Sequence, residues 1–412
     1  MKVLVATQHF WPETFRITEV VQSLRDAGCE VTVLTAQPNY PEGVVQKGYS
    51  AWSLRTEVRD GLTICRVPLI PRGNGSAKRL VLNYLSFILS ASVFGPWLLR
   101  GRSFDVVLCY ATSPIFQAVP AVWIARLKGA RLATWVQDLW PETLRATGFV
   151  RNRALLAAVA VGVRWLYRRN DLLLAQSHAF VPAVRALAGP TPVAYHPNPG
   201  ELAFSRPPDE AACPLRLEPG FNVLFTGNLG TVQALPTVLA AAELLKGEED
   251  VRFVLVGSGR LSAWLAEEIA RLGLRNVRLA GRFDPVHMPA ILDQASAVLV
   301  SLVRDPIMSQ TVPSKMQAYL AAARPIIACL DGEGARVALE SGAGVACAAE
   351  DAKGLAAVVR GLRDLDPEAR RRMGESGRAY YQKHFEPESQ ARRLIRLLSG
   401  APEALAQGTS HG

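Results

Sequence analysis

Short apolar runs alternate along this chain with longer amphipathic stretches. Val3 to Ala6 precedes a helical pattern from Ile17 to Ala27, Val31 to Leu34 follows, and Val106 to Tyr110, Pro114 to Leu127 and Leu132 to Trp135 repeat the order. Runs with little internal alternation read as strands buried on both faces, as a parallel sheet covered by helices requires. The pattern then pauses over residues 196–220, which hold six prolines. Beyond them it restarts: Asn222 to Phe225, helix Leu235 to Leu245, Phe253 to Val256, helix Leu261 to Leu272, Val277 to Leu279, helix Met288 to Gln294, Ala297 to Ser301, helix Ser314 to Ala322, and Pro325 to Ala328.

The prediction is an α/β protein of two Rossmann-like, doubly wound parallel-sheet domains facing a cleft, with ligands at the carboxyl ends of the strands. The expected boundaries are 1–198 for the first domain, 199–220 for a linker and 221–385 for the second domain. A helix over 386–398 is expected to cross back to the first domain, and 399–412 to form a flexible tail.

Charge changes this picture. The net charge is +10, but residues 1–200 carry 22 Lys and Arg against 11 Asp and Glu, while the remainder carries 24 against 25. A one-sided basic surface implies an anionic partner. Nucleic acid is set aside, because the basic half shows no recognition-helix signature, aromatic RNA-binding motif or long basic run. An anionic membrane surface fits better. Leu80 to Leu99 is an uncharged run of 20 residues between Lys78, Arg79, Arg100 and Arg102. It is long enough to span a bilayer, but it sits among the units of one sheet, and its flanks are positive at both ends. A helix buried in the domain or lying in the membrane interface is the better reading. Leu155 to Tyr167, among Arg151, Arg153, Arg164, Arg168 and Arg169, would extend the same surface.

The six cysteines are scattered, without a Cys-x-x-Cys pair, and read as reduced thiols. The amino terminus lacks a signal-peptide pattern. The expectation is a cytoplasmic protein peripherally associated with the inner face of the cytoplasmic membrane.

Four turns in the second half suit a phosphorylated ligand. Thr226-Gly227-Asn228-Leu229-Gly230-Thr231-Val232-Gln233 follows one strand, Gly257-Ser258-Gly259-Arg260 the next, and Gly281-Arg282-Phe283 the third; Thr311-Val312-Pro313-Ser314-Lys315 opens a helix. Glycine lets a ligand approach backbone amides, and lysine at a helix start can reach a diphosphate. The only Asp-x-Asp, Asp364-Leu365-Asp366, lies in a charged segment away from these turns and reads as solvated surface.

These motifs, followed by Tyr319, Ala323-Arg324-Pro325-Ile326 and Gly342-Ala343-Gly344, resemble the donor-binding half of glycosyltransferase family 4. In the first half, His9-Phe10-Trp11-Pro12-Glu13 with Arg16 and Gln137-Asp138-Leu139-Trp140-Pro141-Glu142 are similar to its branch for capsule, colanic acid and O-antigen biosynthesis. The resemblance implies the GT-B fold and retaining transfer from a nucleotide sugar, UDP- or GDP-linked, with no metal or other cofactor. The acceptor it implies is a glycan linked to a polyprenyl diphosphate. The donor site would comprise Gly227, Asn228, Gly230, Gln233, Arg260, Arg282, Ser314, Lys315 and Glu333. Asp138, with Glu142 and His178, would position or deprotonate the acceptor hydroxyl, and Glu13 and Arg16 would meet the acceptor or the leaving diphosphate.

Two departures bear on the donor site. The glutamate pair most of the family carries is replaced by Gln310 and Ala318, which moves the ribose contact to Glu333, and the usual Arg and Lys after the first donor turn fall at Asn228 and Gln233. Lys315, Arg260 and Arg282 are the substitutes, since a diphosphate left without counter-charge is costly.

Plainer readings stand beside these: a helix cap for Asp138, a structural role for His178, and a surface salt bridge for Glu13 and Arg16. Two other functions also fit, a nucleotide-sugar 2-epimerase of the same fold and a non-catalytic carbohydrate-binding scaffold.

Overall fold

The computed structural model describes residues 1–146, 152–205 and 213–400. The chain divides into two compact units, one of Met1–Pro197 with the segment from Gln390, the other of Asn198–Ser389.

The sheet of the first unit contains β1 (Lys2–Ala6), β2 (Glu30–Ala36), β3 (Arg55–Arg59), β4 (Leu62–Val67), β5 (Val106–Ala111), β6 (Arg131–Val136), β7 (Leu172–Ala175) and β8 (Val193–Tyr195), in the order 3-4-2-1-5-6-7-8. All pairs are parallel except β3 with β4. Those two form a hairpin through Asp60-Gly61, both at positive φ, the geometry of the tight turns that match strand twist. β3 lies at the sheet edge and reads Arg-Thr-Glu-Val-Arg, and such charge discourages edge-to-edge pairing. The order reverses direction between β1 and β5, the point at which an open α/β sheet leaves a ligand crevice.

A second sheet contains β9 (Phe221–Thr226), β10 (Val251–Val256), β11 (Val277–Gly281), β12 (Ala297–Ser301), β13 (Ile326–Cys329) and β14 (Gly344–Cys347), all parallel, in the order 11-10-9-12-13-14. Its switch point lies between β9 and β12. Pro325 stands just before β13, where its missing N–H costs no ladder bond.

Within the expected linker the structure shows packed residues: Phe204, Cys213 and Leu215 are buried in the second unit's core. The closing helix, Pro387–Ser399, buries Leu394, Leu397 and Leu398 among first-unit residues such as Val5 and Ile17. The expected tail, apart from Ser399 and Gly400, and Arg151 lie outside the described residues.

The helix Ala77–Leu98 covers the apolar run. It buries Asn83, Phe87, Ala91 and Gly95, a single stripe at four-residue spacing. Gly95 permits the approach, since a Cβ there would lie 3.0 Å from Ile124 and 3.1 Å from Leu34. The opposite face is open: Leu89 is 66 % exposed, Val93 67 % and Trp97 62 %. Trp123 and Leu127 on the helix Val119–Lys128, and Leu155, Val161 and Trp165 on the helix Arg153–Tyr167, are also exposed. The Arg169 guanidinium lies 4.1 Å above the Trp165 ring, a cation resting on an aromatic face. A buried helix is therefore half the outcome, for the wider apolar face is unpartnered among the described residues.

One buried cation braces the ends of these strands. Arg66 on β4 is fully buried; it donates to Glu57 at 2.7 Å, to the Ala36 carbonyl at 3.2 Å and to the Trp11 carbonyl. Arg66→Met leaves the Ala36 and Trp11 carbonyls without this donor and the Glu57 carboxylate with Arg55 alone, 3.4 Å away, so an expected loss of about 1–3 kcal/mol should appear in urea unfolding. A loss within 1 kcal/mol would show that these groups find water instead.

Candidate functional site

In the second unit the three glycine turns are stitched to one another. The Gly227 amide donates to the Val256 carbonyl at 2.9 Å, Leu229 to Ser258 at 3.0 Å, Leu261 to Leu229 at 2.9 Å and Gly257 to Gly281 at 2.7 Å. Gly227 and Gly257 hold φ of 123° and 145°, which side chains rarely adopt. The contact also leaves no room: a Cβ at Gly257 would lie 1.8 Å from the Gly227 carbonyl oxygen. Gly257→Ala is therefore expected to force the turns apart, at a cost of about 1–3 kcal/mol. It should lower the melting temperature and remove nucleotide-sugar binding; retention of both would refute the fit.

An open pocket of about 470 Å³ lies over these turns, lined by Gly227, Asn228, Gly257, Ser258, Gly259 and Arg282. Arg260 and Arg282 are exposed, and neither forms an ion pair among the described residues. Each is free to meet an anion.

Lys315 opens the helix Lys315–Ala321. Its Nζ sits 3.6 Å from the centre of the Phe225 ring and donates to Gln233 Oε1 at 2.6 Å. A Cβ on Gly227 would lie 3.8 Å from that nitrogen, which places the ammonium beside the turn. Burial without a carboxylate pushes the Lys315 pKa down to about 7. Thus the lysine and Gln233 meet, and a cation whose partners among the described residues are a neutral amide and an aromatic face is primed for an anion. Pro313 stands before the helix and not in its first turn, and Ser314 takes the N-cap place without a side-chain cap bond. Tyr319 supports the floor, its hydroxyl accepting from the Thr226 amide at 2.8 Å.

Glu333 lies on a neighbouring turn, at the start of the helix Glu333–Glu340, and its carboxylate is held by Arg336 at 3.0 and 3.2 Å. Gly230 begins the 3-10 turn Thr231–Gln233 that carries Gln233. Asp364, of the Asp-x-Asp, pairs with neighbouring Arg363.

In the first unit, residues at the carboxyl ends of β1, β5 and β6 come together. Asp138 Oδ2 accepts from the Ser113 amide at 2.8 Å, and Trp140 Nε1 donates to the Ser113 hydroxyl at 3.1 Å. Burial raises the Asp138 carboxyl above the usual carboxylate range, the Ser113 hydrogen bonds opposing it. The cap reading fails: Asp138 secures the β5 turn, while the helix after it begins at Glu142. Glu142 thus sits in the first turn of that helix. His178 stacks on Tyr195 with ring centres 3.8 Å apart.

Glu13 is no surface residue. It is 3 % exposed; Oε1 accepts from the amides of Asn39 and Tyr40, both at 2.7 Å, and Oε2 meets His9 Nδ1 at 2.8 Å. Its carboxylate is committed inside the protein, where it orders the turn after β2 and holds the His9 ring. Arg16 pairs with Glu19 at 2.6 Å and not with Glu13, so the salt bridge imagined between them is absent. His9, stacked 4.8 Å from Phe15, is the residue the sequence reading passed over; a His and a Glu four positions apart were the available signal.

A buried amide chain ties this end of the sheet to the apolar helix. Gln8 Nε2 donates to Asn83 Oδ1 at 2.7 Å, and Asn83 Nδ2 donates to the Ile70 carbonyl at 2.7 Å and to Asn39 Oδ1 at 3.3 Å. At the start of the same helix Lys78 and Arg79, with Asn74 and Ser76, border an open pocket of about 410 Å³.

Comparison with known proteins agrees with this architecture. Residues 14–199 match the glycosyl transferase 4-like domain and residues 220–364 the glycosyl transferases group 1 domain. The chain is 29% identical over 336 residues to the putative colanic acid biosynthesis glycosyl transferase WcaI of Escherichia coli K12, covering 78% of this chain and 81% of that one. It is 25% identical over 315 residues to the probable glycosyltransferase WbjE of Pseudomonas aeruginosa, covering 72% and 75%. Among solved structures, the trehalose 6-phosphate synthase of Burkholderia multivorans has a TM-score of 0.71 at 12% identity, covering 98% of this chain and 99% of that chain. HepE of Anabaena, solved with UDP and glucose, has a TM-score of 0.65 at 13% identity, covering 97% and 100%. With the two domain models spanning most of its length and the two-sheet architecture of these neighbours, the chain belongs to the family 4 glycosyltransferases of GT-B fold.

Proposed function

We propose that this protein is a retaining, metal-independent glycosyltransferase that moves a sugar from UDP or GDP to a polyprenyl-diphosphate-linked glycan in bacterial surface polysaccharide synthesis. The observation that carries the reading is Lys315, a part-buried ammonium beside the Gly227 turn with no carboxylate paired to it among the described residues. Cleavage of the anomeric bond builds negative charge on the departing diphosphate. Cations and amides already aimed at that charge lower the barrier without reorganising. Lys315 takes the diphosphate, with Arg260 and Arg282 closing over it from the neighbouring turns. Asp138 orients the acceptor hydroxyl and receives its proton, and attack proceeds from the face the diphosphate leaves. The colanic acid relative supports a polysaccharide product.

The apolar face of the first unit supports a lipid-borne acceptor. An apolar helix surface rimmed by cations suits the boundary between headgroups and acyl chains of an anionic leaflet. The double variant Leu89→Asp/Val93→Asp alters exposed positions, so the melting temperature should hold. Co-sedimentation with phosphatidylglycerol vesicles should fall on the order of tenfold, since apolar burial drives such binding. Unchanged sedimentation would exclude this face.

The deciding experiment incubates the protein with radiolabelled UDP- and GDP-sugars and a membrane lipid extract. Label in an organic-soluble, acid-labile product is the expected result. Epimerised free donor, or donor binding without turnover, would replace the transferase with one of the other two functions.

A further inference from the structure

Six cysteines are free, and two of them face each other. Cys329 ends β13 and Cys347 ends β14, and they are direct partners in the parallel register. Neighbouring strands run about 4.7–4.9 Å apart, inside the roughly 4.4–6.8 Å between Cα atoms that a disulfide spans. Both side chains enter the same layer, with Leu355 and Ala356 of the helix Ala352–Asp364. Cys329 is buried and Cys347 partly exposed, so the pair has a solvent side. The neighbouring Cys347 thiol holds Cys329 below the ordinary thiol range, while Cys329 and burial push Cys347 up. By contrast, Cys65 and Cys109, the strand cysteines of the first sheet, face Leu34 and Thr56, and Ala6 and Thr134.

The position gives the pair a consequence. Cys329 donates to the Ala348 carbonyl at 3.5 Å, and Asp331 Oδ1 accepts from the Ala349 amide at 3.0 Å, which ties the turn after β13 to the turn after β14. The first of these turns continues into Gly332 and Glu333. It has no slack, because a Cβ at Gly332 would lie 2.0 Å from the Ser309 carbonyl oxygen.

We propose that Cys329 and Cys347 are a reversible disulfide pair, closed by a small peroxide, whose formation shifts the Asp331-Gly332-Glu333 turn and weakens donor binding. One thiol reduces the peroxide O–O bond, becoming a sulfenic acid with release of one water. The second sulfur then attacks it, the S–S bond forms and a second water leaves. In sum two thiols and one hydrogen peroxide give one disulfide and two waters. Intracellular disulfides of this kind are more often regulatory than structural. The effect on the donor rests on the function proposed above; the cross-link does not.

The test treats the full-length reduced protein with stoichiometric hydrogen peroxide, blocks remaining thiols with iodoacetamide and maps the digest by mass spectrometry. A peptide joining Cys329 to Cys347, reopened by dithiothreitol and absent from Cys347→Ser, is expected. Sulfinic acid without the cross-link, or cross-links equally distributed over other cysteines, would overturn the pair. Binding of UDP-glucose and GDP-mannose is then followed by thermal shift on both forms. Oxidation should weaken it on the order of tenfold, reversibly, and leave Cys347→Ser unaffected. A cross-linked protein binding as tightly as the reduced one would overturn the regulatory role. If neither form binds a nucleotide sugar, it is the donor reading that fails, while the cross-link result still decides the pair.

Discussion

Lys315→Ala is expected to cut kcat/KM on the order of 10²- to 10³-fold, the cost typical of removing one group that stabilises developing negative charge, and to abolish most of the thermal shift produced by the donor. The variant should fold, because among the described residues Lys315 bonds a neutral amide and an aromatic face and no charged group. The wild-type pH dependence gives an independent check. Unliganded Lys315 titrates near 7 because burial disfavours its charge, whereas a bound diphosphate holds it protonated. Binding therefore takes up a proton above that pH. Donor affinity should be level below about pH 7 and fall as pH rises, by up to tenfold per unit, until the pKa of the liganded lysine is reached. Lys315→Ala should lose this dependence. An undiminished thermal shift in the variant would remove Lys315 from the site.

The second large effect is expected from Asp138→Asn. The asparagine keeps an oxygen for the Ser113 amide, so the β5 turn should stay in place, but it cannot receive a proton. A fall in kcat on the order of 10²- to 10⁴-fold, with KM and melting temperature little changed, identifies Asp138 as the base. Since burial holds its carboxyl above the usual range, wild-type kcat should decline as pH falls through that raised value and the carboxylate is protonated. A variant with full kcat would reduce Asp138 to a tether for Ser113. Asp138→Ala would then show the tether alone, as a stability loss of about 1–3 kcal/mol for the stranded amide.

Much of the second unit was legible because its signals are local. Glycine, proline and lysine at strand ends report backbone geometry and charge within a few residues, and the turns after β9, β10 and β11 fell where those residues are. The hairpin Arg55–Val67 was also written locally, in Asp60-Gly61, yet its charged edge strand lacks the apolar run used to find the other strands. β7 and β8 escaped because Leu172–Ala175 and Val193–Tyr195 are short and adjoin helical patterns of similar composition.

Sequence alone determined the two largely parallel sheets and the turns that would meet a phosphorylated ligand, since both follow from short-range periodicity and residue type, and its motifs carried the resemblance to the family. Only the tertiary structure decided which of those residues touch. It placed Lys315 beside Gln233, across 82 positions of chain, buried Glu13 under the amides of Asn39 and Tyr40, joined Asp138 to Ser113, and set Cys329 opposite Cys347. It also showed that the long apolar helix buries one narrow stripe and leaves the rest open. Contacts of this kind depend on strand order and register, which no local pattern encodes, because the energy that selects them comes from burying surfaces distant in the chain.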